Sequence, residues 1–134
     1  MNNISFEDAW IFLGMKYAEN ESTDYYAKLT GFFNDINQSI PGYDEFISAY
    51  NKLLYLSVIK NENGKVYIME FGNSIYRNAL SKSTPDALPR DIAELIRVEL
   101  KPYKLKSACR QSPVSVQEYG AAASSHMTKK LTVV

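Results

Sequence analysis

The chain has 134 residues, of which 46% are hydrophobic, and its 15 basic and 15 acidic side chains balance. This size predicts one domain with a core that needs no metal or disulfide, and the single cysteine, Cys109, excludes an internal disulfide. No stretch approaches the roughly 18 apolar residues of a membrane-spanning helix, and residues 1–10 lack a basic run followed by an apolar run. We therefore expect a cytoplasmic protein that does not enter a membrane.

The zero net charge conceals an uneven distribution. Residues 1–82 carry seven Lys and Arg against ten Asp and Glu, which is a net charge of −3, so residues 83–134 carry +3. The acidic part is also the part with regular apolar spacing. An acidic folded part disfavours DNA as a partner, because contacts to phosphate supply much of the affinity of DNA-binding proteins.

Two amphipathic helices are predicted first. Ser5 and Asp8 form a capping-box pattern, and apolar residues at steps of three and four predict a helix from Ser5 to Glu19. Its apolar stripe is wide, which favours a helix that is covered on more than one side. A second stripe predicts a helix from Asp24 to Ile36, and the proline in the run Asn37 to Gly42 ends that pattern.

The segment from Tyr43 to Glu70 changes its period from helix to strand. Helical spacing predicts a third helix from Tyr43 to Ser57. Two runs rich in β-branched and aromatic residues follow, Val58 to Lys60 and Lys65 to Glu70. Between them Asn61-Glu62-Asn63-Gly64 supplies residues that tolerate a positive φ, so a β-hairpin is predicted directly after the third helix.

Two more helices are predicted after the hairpin. Gly72-Asn73-Ser74 is predicted to be a turn that starts a short helix from Ile75 to Ser81. Residues 83–103 are predicted to form a linker and a C-terminal helix that begins at Pro89. The apolar face of residues 92–100 needs cover, so this helix either docks on residues 1–82 or pairs with its copy in a homodimer. We favour the homodimer, since the core available for docking is small.

Residues 104–134 are predicted to be a tail. They contain Ser, Ala, Gln and Thr with little periodic apolar content, a composition that does not offset the entropy of ordering. Pairing of residues 113–119 with residues 127–134 as strands is the alternative. The run Gly120 to Met127, GAAASSHM, resembles a vector-derived spacer, which predicts that part of the tail is foreign to the native protein.

The order of three helices, a hairpin and a further helix resembles the winged helix-turn-helix fold over residues 1–82. The tract from Ile40 to Gly72 carries the resemblance, because Leu53-Leu54 and the small residue Ser57 stand where such proteins pass from the third helix into the wing. The stretch Glu70 to Ser74 departs from the Thr-Pro-x-Gly-like cap of many such families. The resemblance implies an α+β, mainly helical fold with a three-helix core, a two-stranded β-hairpin wing and additional C-terminal helices.

In winged-helix proteins that bind DNA, the third helix and the wing contact the duplex. The resemblance therefore gives these candidate nucleic-acid-binding residues: Ser48, Asn51, Lys52, Lys60, Asn63 and Lys65. Asp44 and Glu45 stand at the end of the helix that would enter the groove, where phosphate repels a carboxylate. The DNA-binding transcriptional regulator is therefore the alternative hypothesis.

The leading hypothesis is a non-enzymatic adaptor or regulator that acts through protein contacts. Tyrosine is enriched among the residues that dominate protein interfaces. The candidate protein-binding residues are Tyr43, Tyr55 and Tyr67, while Tyr50 is expected in the core. The partner is either another protein or a second copy of the chain.

No catalytic residue, metal ligand or cofactor is predicted, and we expect no enzyme. The single histidine, His126, and Cys109 both lie outside residues 1–82, so they do not suggest a Cys-His dyad or a metal site. The glycines are scattered, without the spacing of a phosphate-binding loop.

Overall fold

The computed structural model describes residues 4–105 and 111–132. Within these ranges the chain forms six helices and one two-stranded antiparallel sheet, which confirms the predicted α+β, mainly helical class. The elements in chain order are α1 (Phe6–Tyr17), α2 (Tyr25–Asn37), α3 (Tyr43–Tyr55), β1 (Ile59–Glu62), β2 (Lys65–Ile68), α4 (Glu70–Ser81), α5 (Pro89–Leu100) and α6 (Val116–Thr132).

Helix α1 lies at the centre of the fold. The Asp8 amide donates to the Ser5 hydroxyl and the Asp8 carboxylate accepts from the Ser5 amide, so the predicted capping box is confirmed. Every residue from Asp8 to Met15 is buried, because α2, α3, α5 and β2 all pack against this helix. The wide apolar stripe therefore reflects a helix surrounded by neighbours.

Helix α3 ends in a turn that sets the direction of the first strand. Ser57 has a φ of +62°, its amide donates to the Leu54 carbonyl, and the Val58 amide donates to the Leu53 carbonyl. These two bonds form a Schellman motif, which satisfies the last carbonyls of a helix and reverses the chain. The junction predicted around Ser57 is thus the point at which helix becomes strand.

The hairpin closes through a two-residue turn. Asn63 and Gly64 have φ values of +55° and +82°, which are typical of the type I′ turn that matches the twist of paired strands. Ile59 pairs with Ile68 and Asn61 pairs with Val66, and the three apolar members of these pairs are buried against the helices. The predicted hairpin is confirmed.

The start of α2 and the end of α1 brace the hairpin from the side of β2. The Tyr26 hydroxyl donates to the Gly64 carbonyl at 2.5 Å, and the Tyr25 hydroxyl lies 3.5 Å from the Val66 carbonyl. The Glu19 carboxylate accepts from the Ile68 amide at 3.2 Å. The sheet is therefore tied to the helical core by side chains as well as by its buried face.

Helix α4 begins earlier than predicted. Gly72 was expected in a turn, but it lies inside the helix Glu70–Ser81 and is buried. A Cβ at this position would lie 2.9 Å from the Ile68 side chain and closer still to the Val58 carbonyl oxygen. Glycine serves here to let the helix approach the backbone, and the expectation of a turn was wrong.

Helix α5 begins at Pro89 as predicted, and it packs on α1 and α4. Ala93, Ile96 and Leu100 are buried within the chain. The argument that this apolar face lacks cover was therefore wrong, and a homodimer through residues 92–100 stays a prediction without that support.

Residues 111–132 are not the loose tail that their composition predicted, while 106–110 and 133–134 lie outside the described residues. Residues Val116–Thr132 form α6, which packs mainly on α2, so the alternative of paired strands is wrong over residues 113–119 and 127–132. Leu105, Val114 and Tyr119 are buried. The division of the chain at residues 82 and 103 stays a prediction, and packing contacts cross both positions.

Candidate functional site

The solvent side of the hairpin carries four residues, which we call the hairpin face: Lys60, Glu62, Lys65 and Tyr67. Strand register places Lys60 opposite Tyr67 and Glu62 opposite Lys65. Alternation along a strand directs these side chains away from the buried pairs. Three of the four are sequence-predicted site residues, so the structure brings them together.

The lysines of the hairpin face lie over aromatic rings. The Lys65 ammonium is 4.9 Å from the centre of the Tyr67 ring and 5.8 Å from that of Tyr25. The Lys60 ammonium is 5.9 Å from the centre of the Tyr67 ring and 3.0 Å from the Glu62 carboxylate. Cations at such distances are attracted to the ring faces. The aliphatic parts of the lysines can then lie along the rings, so the hairpin face combines an aromatic ring with basic side chains.

The exposed face of α3 is acidic and polar. Asp44, Glu45 and Ser48 are exposed, and Tyr55 near its end is 42% exposed. The Lys52 ammonium lies 2.9 Å from the Asp8 carboxylate at the start of α1. The one lysine of this helix therefore forms an ion pair with a buried carboxylate. This face is therefore acidic at its first turn, and its one lysine is engaged with Asp8.

Asn51 was expected on the exposed face of α3, and that expectation was wrong. It is only 7% exposed. Its amide nitrogen donates to the Gln111 carbonyl at 3.0 Å and to the Ile47 carbonyl at 2.8 Å, and its oxygen accepts from the Gln111 amide at 2.8 Å. The side chain is thus saturated by backbone groups of the same chain.

Tyr43 lies on the same side of the molecule as Asn51. Its hydroxyl donates to the Val114 carbonyl at 2.8 Å, and its ring meets that of Tyr119 edge to face at 5.8 Å. The sequence-predicted residues therefore fall into separate groups. Lys60, Lys65 and Tyr67 share the hairpin face, Tyr43 and Asn51 contact residues 111–119, and Asn63 lies at the hairpin tip.

Sequence reasoning missed the residues that support both groups. Tyr25 and Tyr26 were read as core positions of the second helix, but their hydroxyls reach the hairpin backbone. Tyr119 was placed in the tail, but its ring is buried against α3. The available signal was a tyrosine content larger than a core requires, because a buried tyrosine usually places its hydroxyl on a polar partner.

Burial raises the pKa of Tyr25, Tyr26 and Tyr119 well above the ordinary value of 10.0. The dominant cause is loss of solvation of the charged phenolate, and the neighbouring Glu19 and Glu45 carboxylates add to the raised pKa of Tyr25 and Tyr119 respectively. These hydroxyls therefore stay protonated at neutral pH and act as hydrogen-bond donors to the backbone.

Comparison of the chain with known protein families, curated proteins and solved structures gives no match. Among residues 4–105 and 111–132, no three His, Cys, Asp or Glu side chains come close enough to share a metal ion. None of the helices formed by these residues is both long and apolar enough to cross a membrane.

Proposed function

We propose that the chain is a non-enzymatic, winged-helix-like adaptor or regulator that acts through protein contacts, with the hairpin face as the contact surface. The observation that carries the proposal is the Tyr67 ring held between the Lys60 and Lys65 side chains on the solvent side of the sheet. Tyrosine is enriched among the residues that dominate protein interfaces, because its ring buries area at little entropic cost.

The winged-helix part of the proposal is supported by the order of the elements. Three helices precede the hairpin, α1 packs on both α2 and α3, and the hairpin follows α3 after the Schellman turn at Ser57. The sheet lies against α1, with its solvent side free of the helical core. This arrangement is compatible with a wing that presents one face to a partner.

A protein partner is favoured over DNA by the charges on α3. Asp44 and Glu45 are exposed at its first turn, Lys52 is paired with Asp8, and Asn51 is bonded to Gln111. A helix that enters the major groove needs groups that accept phosphate and read base edges. The partner that fits the hairpin face is instead an acidic protein surface, whose carboxylates would meet Lys65 beside Tyr67, since Lys60 is paired with Glu62.

The proposal is tested by affinity capture with matched variants. The double variant Tyr67→Ala with Lys65→Glu removes the ring and inverts a charge on the hairpin face. Arg77→Glu is the control, because Arg77 is an exposed cation on α4 that pairs with Glu70. We expect a partner bound by the wild type and the control to be lost from the double variant. Retention of every partner by the double variant would reject the hairpin face.

DNA binding is the second candidate, and the observation that favours it is the pair of lysines on the hairpin face, of which Lys60 is exposed and Lys65 is half-buried. If it is correct, random duplex DNA is retarded at low salt and released steeply as salt rises. Lys60→Glu with Lys65→Glu should then abolish retardation, whereas Arg77→Glu on α4 should change it little because Arg77 lies outside the wing. Such a result would replace the protein-contact proposal.

A further inference from the structure

We call residues 111–125 the C-terminal segment and residues 4–105 the body. Several side chains of the body form hydrogen bonds with backbone groups of this segment. Asn51 bonds to both the amide and the carbonyl of Gln111, which is the pattern by which a neighbouring strand would recognise an extended residue. Three residues after Gln111, the Val114 carbonyl accepts a hydrogen bond from the Tyr43 hydroxyl. Both contacts are made to backbone groups of the segment and not to the side chains of Gln111 and Val114.

One aromatic residue anchors the helical part of the segment. Tyr119 is 3% exposed, and its ring stacks on that of Phe46 with centres 5.0 Å apart. Its hydroxyl donates to the Pro41 carbonyl at 2.6 Å. One turn further on, the Ala122 carbonyl lies 3.4 Å from the Thr30 hydroxyl. We call the residues of the body that make these contacts the α2–α3 face: Thr30, Pro41, Tyr43, Phe46 and Asn51.

The rest of the segment is lightly buried. Of the side chains of residues 111–125, three are buried: Val114, Tyr119 and Ala122. The four residues from Ser115 to Glu118 are exposed, including Val116 at 51%. The segment also packs on α2, but it buries fewer side chains than α1, in which every residue from Asp8 to Met15 is buried. We therefore expect the segment to open at a lower free energy than the core around α1.

We propose that the α2–α3 face is a peptide-binding site, filled in cis by residues 111–119 of the C-terminal segment, which precede the spacer-like run Gly120 to Met127. Its occupant in trans is the same segment of a second copy of this chain. The site lies apart from the hairpin face and does not depend on the proposed function. A second copy carries the sequence that meets Asn51, Tyr43 and Phe46 at three separated points. Reciprocal exchange would rebuild each of these contacts between two protomers.

Because the segment is covalently tethered to the body, exchange between two chains requires a protein concentration that competes with the effective concentration of the tethered segment. A tethered segment has an effective concentration on the order of millimolar, so the cis occupant wins in dilute solution. Weakening the cis segment while leaving the face intact should therefore open the site to a free peptide. Tyr119→Ala does this, since it removes the ring on Phe46 and the bond to Pro41 without changing the face.

The test uses the full chain with Tyr119→Ala and a fluorescent peptide of residues 111–125, followed by anisotropy. We expect the peptide to bind this variant at least about tenfold more tightly than it binds the wild-type chain, which corresponds to about 1.4 kcal/mol. The same peptide with Tyr119→Ala should bind the variant chain about tenfold more weakly. Adding Asn51→Leu to the variant chain should weaken binding of the wild-type peptide as well.

A Tyr119→Ala chain that keeps its helical circular dichroism and binds neither peptide, or binds both equally, would overturn the proposal. If that variant does not fold, the wild-type chain is titrated with the peptide to about millimolar concentration and the backbone amides are followed by NMR. Shifts at Asn51 and Phe46 are expected, and unchanged shifts there would reject the site. Sedimentation of the wild-type chain at similar concentration should show dimers, and a persistent monomer would reject the second copy as occupant.

Discussion

The hairpin and the C-terminal segment flank the same helix, α3, but they are attached to it by different means. The hairpin buries Ile59, Val66 and Ile68 under a paired backbone, and the end of α1 and the start of α2 brace it. The C-terminal segment depends on the packing of α6 on α2, on one stacked ring and on bonds from Asn51 and Tyr43. The hairpin should therefore unfold with the core, while the segment should open separately.

The largest expected difference between the two regions comes from matched glycine substitutions. Gly72→Ala forces a methyl group onto the Val58 carbonyl beside the hairpin, so we expect a loss of about 3 kcal/mol in the free energy of unfolding. Gly120→Ala in α6 meets nothing within 4 Å and should stabilise by up to about 1 kcal/mol. Urea unfolding measures both values. Similar losses for both variants would contradict the comparison.

Tyr119→Ala should open the C-terminal segment without unfolding the core. We expect amides of residues 119–125 to exchange with solvent about 30-fold faster, which corresponds to about 2 kcal/mol. Amides of α1 should keep their exchange rates, since α6 packs mainly on α2. Hydrogen exchange read by NMR separates the two outcomes. A parallel acceleration in α1 would show that segment and core unfold as one unit.

Alkaline solution should weaken both regions through their tyrosines. Because the folded-state pKa of Tyr26 and of Tyr119 is raised above the ordinary 10.0, their contribution is complete below about pH 10 and is lost as pH rises through the folded pKa. Tyr26→Phe and Tyr119→Phe should each reduce the alkaline loss, and each should cost about 1 kcal/mol at neutral pH for the missing hydrogen bond. Unfolding free energies at pH 8 and at about pH 11 would measure this. An unchanged alkaline loss in both variants would contradict the assignment.

The smallest expected effect lies in the turn that leads into the hairpin. Ser57 adopts a φ of +62°, which costs a residue with a side chain more than it costs glycine. Ser57→Gly should therefore stabilise the protein by about 0.5 kcal/mol. Asn63→Gly is the matched control at a φ of +55°, and it should change the free energy of unfolding less, because asparagine tolerates this region. Thermal unfolding of both variants tests the order.

The hairpin could be predicted because its signals are local. Asn63-Gly64 supplies the turn, and the alternation of Val66 and Ile68 with Tyr67 marks one buried face. The hairpin face follows from that alternation, although Lys60 and Lys65 were assigned from the sequence to a nucleic acid and Tyr67 to a protein partner. Local propensity and tertiary environment agree in this part of the chain.

The C-terminal segment could not be predicted because its order comes from the body. Gln111 and the small residues after Tyr119 carry no strong helical or strand period, and their order depends on Asn51, Tyr43 and α2. The same reason explains the error at Asn51, whose burial depends on a residue 60 positions away. At Gly72 the tertiary contact with Val58 outweighed the usual reading of glycine as a helix breaker.

The bond from the Ile68 amide to the Glu19 carboxylate has a consequence for how the protein behaves in a crowded solution. Both strands of a two-stranded sheet are edge strands, and the unpaired amides of an edge strand can pair with a strand of another molecule. On β2 that amide is occupied by Glu19, and the Tyr26 hydroxyl occupies the Gly64 carbonyl at the tip. Because the Glu19 carboxylate occupies the Ile68 amide, a strand of another molecule cannot pair with that amide. This contact therefore opposes intermolecular strand addition at the edge of β2.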